Sequence, residues 1–149
     1  MRQITRLGCG AVLLGLVAAG PAFAEAAHIA QVKTTAGPAF IVRGAERLPA
    51  KPGDMLYESD VVETGAGGTI GFTFVDNTVF STGPESQVAL EQFHFDSSNF
   101  KGDMLADIRK GTLTVVSGDI THATPGAMKI KTPTAVLGVR GTTFAVKVY

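Results

Sequence analysis

From residue 29 onward, apolar and polar positions alternate in short runs, and most of these runs are followed by glycine, proline, asparagine or aspartate. A period of two marks strands that bury one face, with turns between them. Residues 69–75, T-I-G-F-T-F-V, are the clearest case and put Ile70, Phe72 and Phe74 on one face. Residues 29–34, 40–43 and 60–64 read as further strands, closed by Gly37-Pro38, Gly44 and Gly65-Ala66-Gly67-Gly68. Asp76-Asn77 then predicts a two-residue hairpin of the primed-turn kind, leading into residues 78–81. Residues 87–95 are expected to turn Val88, Leu90, Phe93 and Phe95 inward. Residues 104–108 carry Met104, Leu105 and Ile108 at helical spacing, but Gly111 and the β-branched run 112–116 follow, so strand is the better assignment. Residues 48–54, with Pro49 and Pro52, and residues 117–128 read as loops, and residues 97–102 as a polar connection.

The last seventeen residues before Tyr149 form two extended runs, 134–139 and 142–148, interrupted by Gly138 and Gly141 around Arg140. Pro133 cannot donate to a central ladder and belongs at or just before the first residue of a strand. About ten short strands with regular turns predict an all-β single domain, built as a β-sandwich or a stacked β-roll. No alternation of helix and strand is visible, which argues against a doubly wound parallel sheet.

The segment before this domain has a different pattern. Arg2 and Arg6 precede an apolar stretch, and Ala22-Phe23-Ala24 supplies small residues for cleavage. This predicts a signal peptide over residues 1–24, removed after Ala24, with residues 25–149 as the domain. A periplasmic or secreted location follows, and no later segment is apolar and long enough to span a bilayer as a helix. Cys9 lies within the predicted signal, so the exported domain would hold no thiol or disulfide. Without Arg2 and Arg6 the remaining 11 basic and 13 acidic residues give a formal charge of −2, which argues against nucleic acid as a partner.

Candidate chemistry is sparse. His28, His94 and His122 share no metal-ligand spacing. Asp54, Glu58, Asp60 and Glu63 form one acidic cluster and Asp96, Asp103 and Asp107 another, but neither has the spacing of a calcium loop. Gly65-x-Gly67-Gly68 reads as a turn, and no serine sits in a nucleophile elbow. The expectation is therefore no catalytic, metal or cofactor site, and a chain that is not an enzyme. Phe72, Phe74, Phe80, Phe93, Phe95, Phe100 and Phe144 are assigned to the core. Arg140, a rigid fork of five donors, is read as a clamp on backbone carbonyls or on a carboxylate such as Asp60 or Asp76, with recognition of an anionic partner as the alternative. An exposed edge over residues 142–149 would leave room for pairing with another chain.

Several pieces stand in a telling order. Pro52-Gly53-Asp54 precedes D-V-V-E-T-G at residues 60–65, then G-T-I-G-F-T-F-V-D-N-T at 68–78, G-P-E-S-Q-V at 83–88, and G-T-L at 111–113. T-P-T-A-V-L-G-V-R-G-T-T-F-A-V at residues 132–146 closes the set and is its most specific part. Over roughly residues 30–148 the chain resembles the FecR-domain family of bacterial envelope proteins. The resemblance implies a periplasmic all-β domain, known in some members as part of an iron-responsive regulator. There a cytoplasmic anti-sigma segment and a membrane helix precede the domain, and a receptor-contacting domain follows it. With a cleavable signal in place of the anti-sigma segment, this chain is expected to be a stand-alone exported member. Its expected role is a binding or interaction module for an envelope protein or glycan, through the family-motif residues Pro133, Gly138, Arg140, Gly141 and Thr142. The alternatives are a periplasmic signalling part that acts in trans, or a structural or adhesive component.

Overall fold

A computed structural model describes residue 20, residues 26–141 and residues 143–149. The predicted signal peptide and Thr142 therefore lie outside the described residues. Twelve strands follow one another: β1 (Ala30–Ala36), β2 (Ala39–Arg43), β3 (Glu46–Pro49), β4 (Met55–Leu56), β5 (Val61–Thr64), β6 (Thr69–Phe74), β7 (Val79–Thr82), β8 (Gln87–Asp96), β9 (Lys101–Val116), β10 (Met128–Lys131), β11 (Val136–Val139) and β12 (Thr143–Val148). A short helix, α1 (Asp119–Ala123), separates β9 from β10. The fold is all-β, as expected.

The strands form one hydrogen-bonded sheet, curled so that its two halves face each other: nine run in the order β3-β2-β5-β8-β9-β7-β6-β1-β4, β10 and β12 add to β9 beside this path, and β11 adds to β10. Every pairing is antiparallel except that of β10 with β9. Phe74 of β6 stacks on Phe93 of β8 with centroids 5.3 Å apart, which shows the halves meeting across one core. That core includes the alternating residues of β6 (Ile70, Phe72, Phe74), of β9 (Met104, Ala106, Ile108, Leu113, Val115) and of β10 (Met128, Ile130). Burial of this apolar surface is the main favourable term in folding.

The halves are joined at a stack of corners. Gly65 N–H donates to Pro38 C=O at 3.0 Å, and Glu85 N–H donates to Gly65 C=O at 3.1 Å. The Thr64 hydroxyl donates to Gly83 C=O at 2.7 Å and accepts the Ser86 N–H at 2.9 Å. Ser86 Oγ in turn accepts the Thr112 N–H at 3.0 Å. Beside that last contact, β9 passes from one half to the other. Residues 101–110 pair with β8, while Gly111–Val116 pair with β7 and β12. Gly111 sits at the bend with φ +87°, and a Cβ there would fall 2.1 Å from Ser86 Oγ. A positive φ and a close approach of backbone both demand glycine.

Several expectations need correction. Residues 101–116 form one strand, because Gly111 bends β9 without ending it. Residues 46–49, half of them placed in a loop, form β3 at the sheet edge, where Pro49 is tolerated. Residues 117–128 hold α1 rather than irregular chain alone. The Asp76-Asn77 turn is not of the primed type, since only Asn77 has positive φ (66°). Phe74 N–H donates to Thr78 C=O across a three-residue loop, and Asn77 N–H donates to Phe74 C=O. This is a turn followed by one left-handed residue. Phe100 is 53% exposed in the β8–β9 turn and is not a core residue. Phe72, Phe74, Phe80 and Phe93 are buried, and Phe95 and Phe144 pack against the core from its margin.

Candidate functional site

The two carboxylates proposed as partners of Arg140 are engaged elsewhere. Asp60, 1% exposed, takes a two-pronged bond from Arg43: Nε to Oδ1 at 2.9 Å and Nη2 to Oδ2 at 2.7 Å. Tyr57 N–H adds a third bond at 2.9 Å, and the guanidinium lies 4.6 Å from the Tyr57 ring centroid. The bond to Asp60 raises the Arg43 pKa above its ordinary value. Register explains the pair, because Val42 of β2 stands beside Val61 of β5, so each partner is one residue past that rung. Arg43→Ala would leave a buried carboxylate short of two donors. Its unfolding free energy is expected to fall by about 1–3 kcal/mol in a urea titration.

Asp76 is fully buried and holds α1. Its Oδ2 accepts the Thr78 hydroxyl at 2.7 Å and the Ile120 N–H at 3.3 Å, and its C=O accepts the Asp119 N–H at 2.8 Å. The helix has no side-chain cap at Gly118, so this distant aspartate serves as one.

Arg140 itself is exposed, and among the described residues it has neither an ion pair nor a side-chain hydrogen bond. Arg140 therefore does not clamp Asp60 or Asp76. Arg140→Ala is expected to shift stability by no more than about 0.5 kcal/mol in a thermal melt. Arg140 follows β11 directly, while Pro133 lies in the exposed turn before it, so the structure sets these two motif residues at opposite ends of one strand. Gly141 has φ +94°, and a Cβ on it would lie 3.5 Å from Thr121 Cγ2 of α1, so it turns the chain against the helix. Gly138 is exposed on β11, with no left-handed backbone and open space where a Cβ would stand. Thr142 is outside the described residues.

A cleft of about 720 Å³ lies between Ile29 and the β8–β9 hairpin, with Phe93 and Phe95 in its lining. Three of its polar side chains are engaged within the protein. Glu58 accepts the Phe93 N–H at 3.1 Å, and His94 faces Asp103 at 3.2 Å. The Asp96 carboxyl lies below the usual carboxylate range because the Ser98 hydroxyl and then the Ser98 N–H donate to it. No nucleophile, base and orienting group converge there. Among the described residues no group of three or more histidine, cysteine or acidic side chains is arranged to hold a metal ion. No helix among them is long and apolar enough to cross a membrane.

What the sequence did not reveal are the Arg43–Asp60 pair and the free flank of β11. A charged residue at the end of an apolar run, Arg43 after F-I-V and Asp60 before V-V, was the available sign of the pair. In comparisons with known proteins, a family model described as FecR protein matches residues 60–149. No curated protein and no solved structure matches the chain.

Proposed function

We propose, from the premise that this chain belongs to the FecR protein family, that it is a non-catalytic interaction module of the bacterial envelope, exported to the periplasm or beyond. One observation carries the reading. Residues 133–138 of the distinctive closing segment are exposed, and so is Arg140, which is unpaired among the described residues. A cation without an internal partner is available to an external one. In the cleft beside the β8–β9 hairpin, Glu58, His94 and Asp96 are engaged within the protein, which favours binding over catalysis. The partner is an envelope protein or glycan.

A second reading is favoured by the family itself, which is the periplasmic sensor part of envelope signalling systems. In that reading the domain reports, in trans, to a separate membrane partner. Affinity capture from a solubilised envelope fraction, using wild-type protein and Arg140→Ala, tests both. Retention of a defined partner that the variant loses supports an interaction module, and a membrane regulator among the retained proteins supports signalling. Equal recovery of background proteins by both forms would sink the first reading.

A further inference from the structure

The free edge of β11 differs from the other strand edges of the fold. β3 carries Glu46, Arg47 and Pro49, β4 has two residues, and β12 carries Lys147. Charge, proline and shortness are the usual protections against pairing with another chain. β11 reads Val-Leu-Gly-Val, carries neither charge nor proline, and among the described residues pairs with β10 alone.

The ladder shows which backbone groups are free. Thr132 N–H donates to Ala135 C=O at 2.8 Å, so these two residues form a hydrogen-bonded pair. Pairs of this kind alternate in an antiparallel ladder. Ile130↔Leu137 and Met128↔Val139 are therefore hydrogen-bonded pairs, and Val136 and Gly138 direct their N–H and C=O away from β10.

Gly138 is the second observation. Among the described residues from Ile29 onward, it is the glycine that has neither a positive φ nor a neighbour within 4 Å of its would-be Cβ. Among the described residues nothing requires glycine there. A bare position on a free edge lets another backbone approach.

Charge and apolar surface define what fits. Residues 120–149 contain Lys129, Lys131, Arg140 and Lys147 but no aspartate or glutamate. Lys131 is partly neutralised by Glu91 at 3.6 Å. Lys129, the cross-strand partner of Gly138, is exposed without a carboxylate partner among the described residues, and Arg140 follows at the end of the strand. On the other face of β11, Leu137 is 40% exposed.

Building on the interaction-module reading, we propose that the β11 edge receives an extended strand of a partner protein in which acidic and apolar residues alternate. Its backbone pairs with Val136 and Gly138, its acidic face meets Lys129 and Arg140, and its apolar face covers Leu137. Backbone pairing distinguishes this partner from a polyanionic glycan, which would use the cations alone.

The test is amide hydrogen exchange by NMR on the purified protein, with a synthetic alternating valine–glutamate decapeptide as probe and oligogalacturonate as the charge-only control. The peptide is expected to slow exchange at Val136 and Gly138. Gly138→Val should abolish that protection while its thermal melt stays at the wild-type value. Lys129→Glu with Arg140→Glu should weaken peptide binding by about tenfold or more. If Gly138→Val does not fold, the double charge reversal and Gly138→Ala carry the test. The proposal is overturned if the peptide protects neither amide, if Gly138→Val binds as well as wild type, if oligogalacturonate reproduces the protection, or if the edge is protected without peptide by a second copy of the chain. Envelope capture separates this proposal from the broader one. Equal retention of wild type and Gly138→Val leaves the interaction module standing and removes this edge, whereas retention of neither removes both.

Discussion

Gly111→Ala is expected to destabilise the domain by about 2–6 kcal/mol, a large share of the stability of a typical folded domain. Two costs combine. A side chain at φ +87° strains the backbone by about 1–3 kcal/mol. The new Cβ would also stand 2.5 Å from Ser86 Cα, so backbone rather than a flexible side chain must move, at about 1–3 kcal/mol for overpacking. Gly44→Ala isolates the first cost, because Gly44 has φ +60° with nothing near its would-be Cβ. Equilibrium urea unfolding of both variants checks the claim. A Gly111→Ala loss no larger than that of Gly44→Ala would show that the corner is not tightly packed.

The second large effect is expected at Phe80. Its side chain is fully buried, with ring centroids 5.5 Å from Phe72 and 4.8 Å from Phe74 in an edge-on arrangement. Phe80 pairs with Phe72 on β6 and with Val115 on β9, so it sits where three strands meet the core. Phe80→Ala removes the ring and leaves a cavity that neighbours anchored in strands cannot fill, at about 3–5 kcal/mol. Phe100→Ala, at a half-exposed turn residue, should stay within about 0.5 kcal/mol in the same titration. Similar losses for the two variants would contradict this placement of the core.

How far the sequence could be read depended on whether burial was one-sided and local. β6 was legible because every second residue enters the core, and β8 because Val88, Leu90 and Phe93 do. The register shift between Leu90 and Gln92 accounts for the change of parity on the way to Phe93. β3 was missed because an exposed edge strand with Arg47 and Pro49 has no buried face to leave a pattern. The continuity of β9 was missed because glycine within a run reads as an end, while Gly111 is a bend. α1 was missed because five residues give no periodicity and its cap, Asp76, is remote in sequence. The closing motif identified the family, but the role assigned to Arg140 failed for a physical reason. Choosing between carboxylates requires knowing which strands are neighbours, and β2 places Arg43 beside Asp60 first. The value of Gly138 became visible only when the space around it was known.

The sharing of β9 between the two halves has a consequence for the order of assembly. β7 and β8 precede it in the chain and cover one of its flanks, whereas β10 and β12 follow it and cover the other. A chain emerging N-terminus first can therefore form its sheet up to residue 116 while a sixteen-residue strand stands uncovered along one side. That interval is when such a sheet is most open to pairing with its neighbours. Non-local pairing makes closure slow, on the order of milliseconds to seconds for β-rich domains. The final thirty residues thus act as a late seal, and a chain interrupted before Met128 would be a seed for aggregation rather than a smaller working domain.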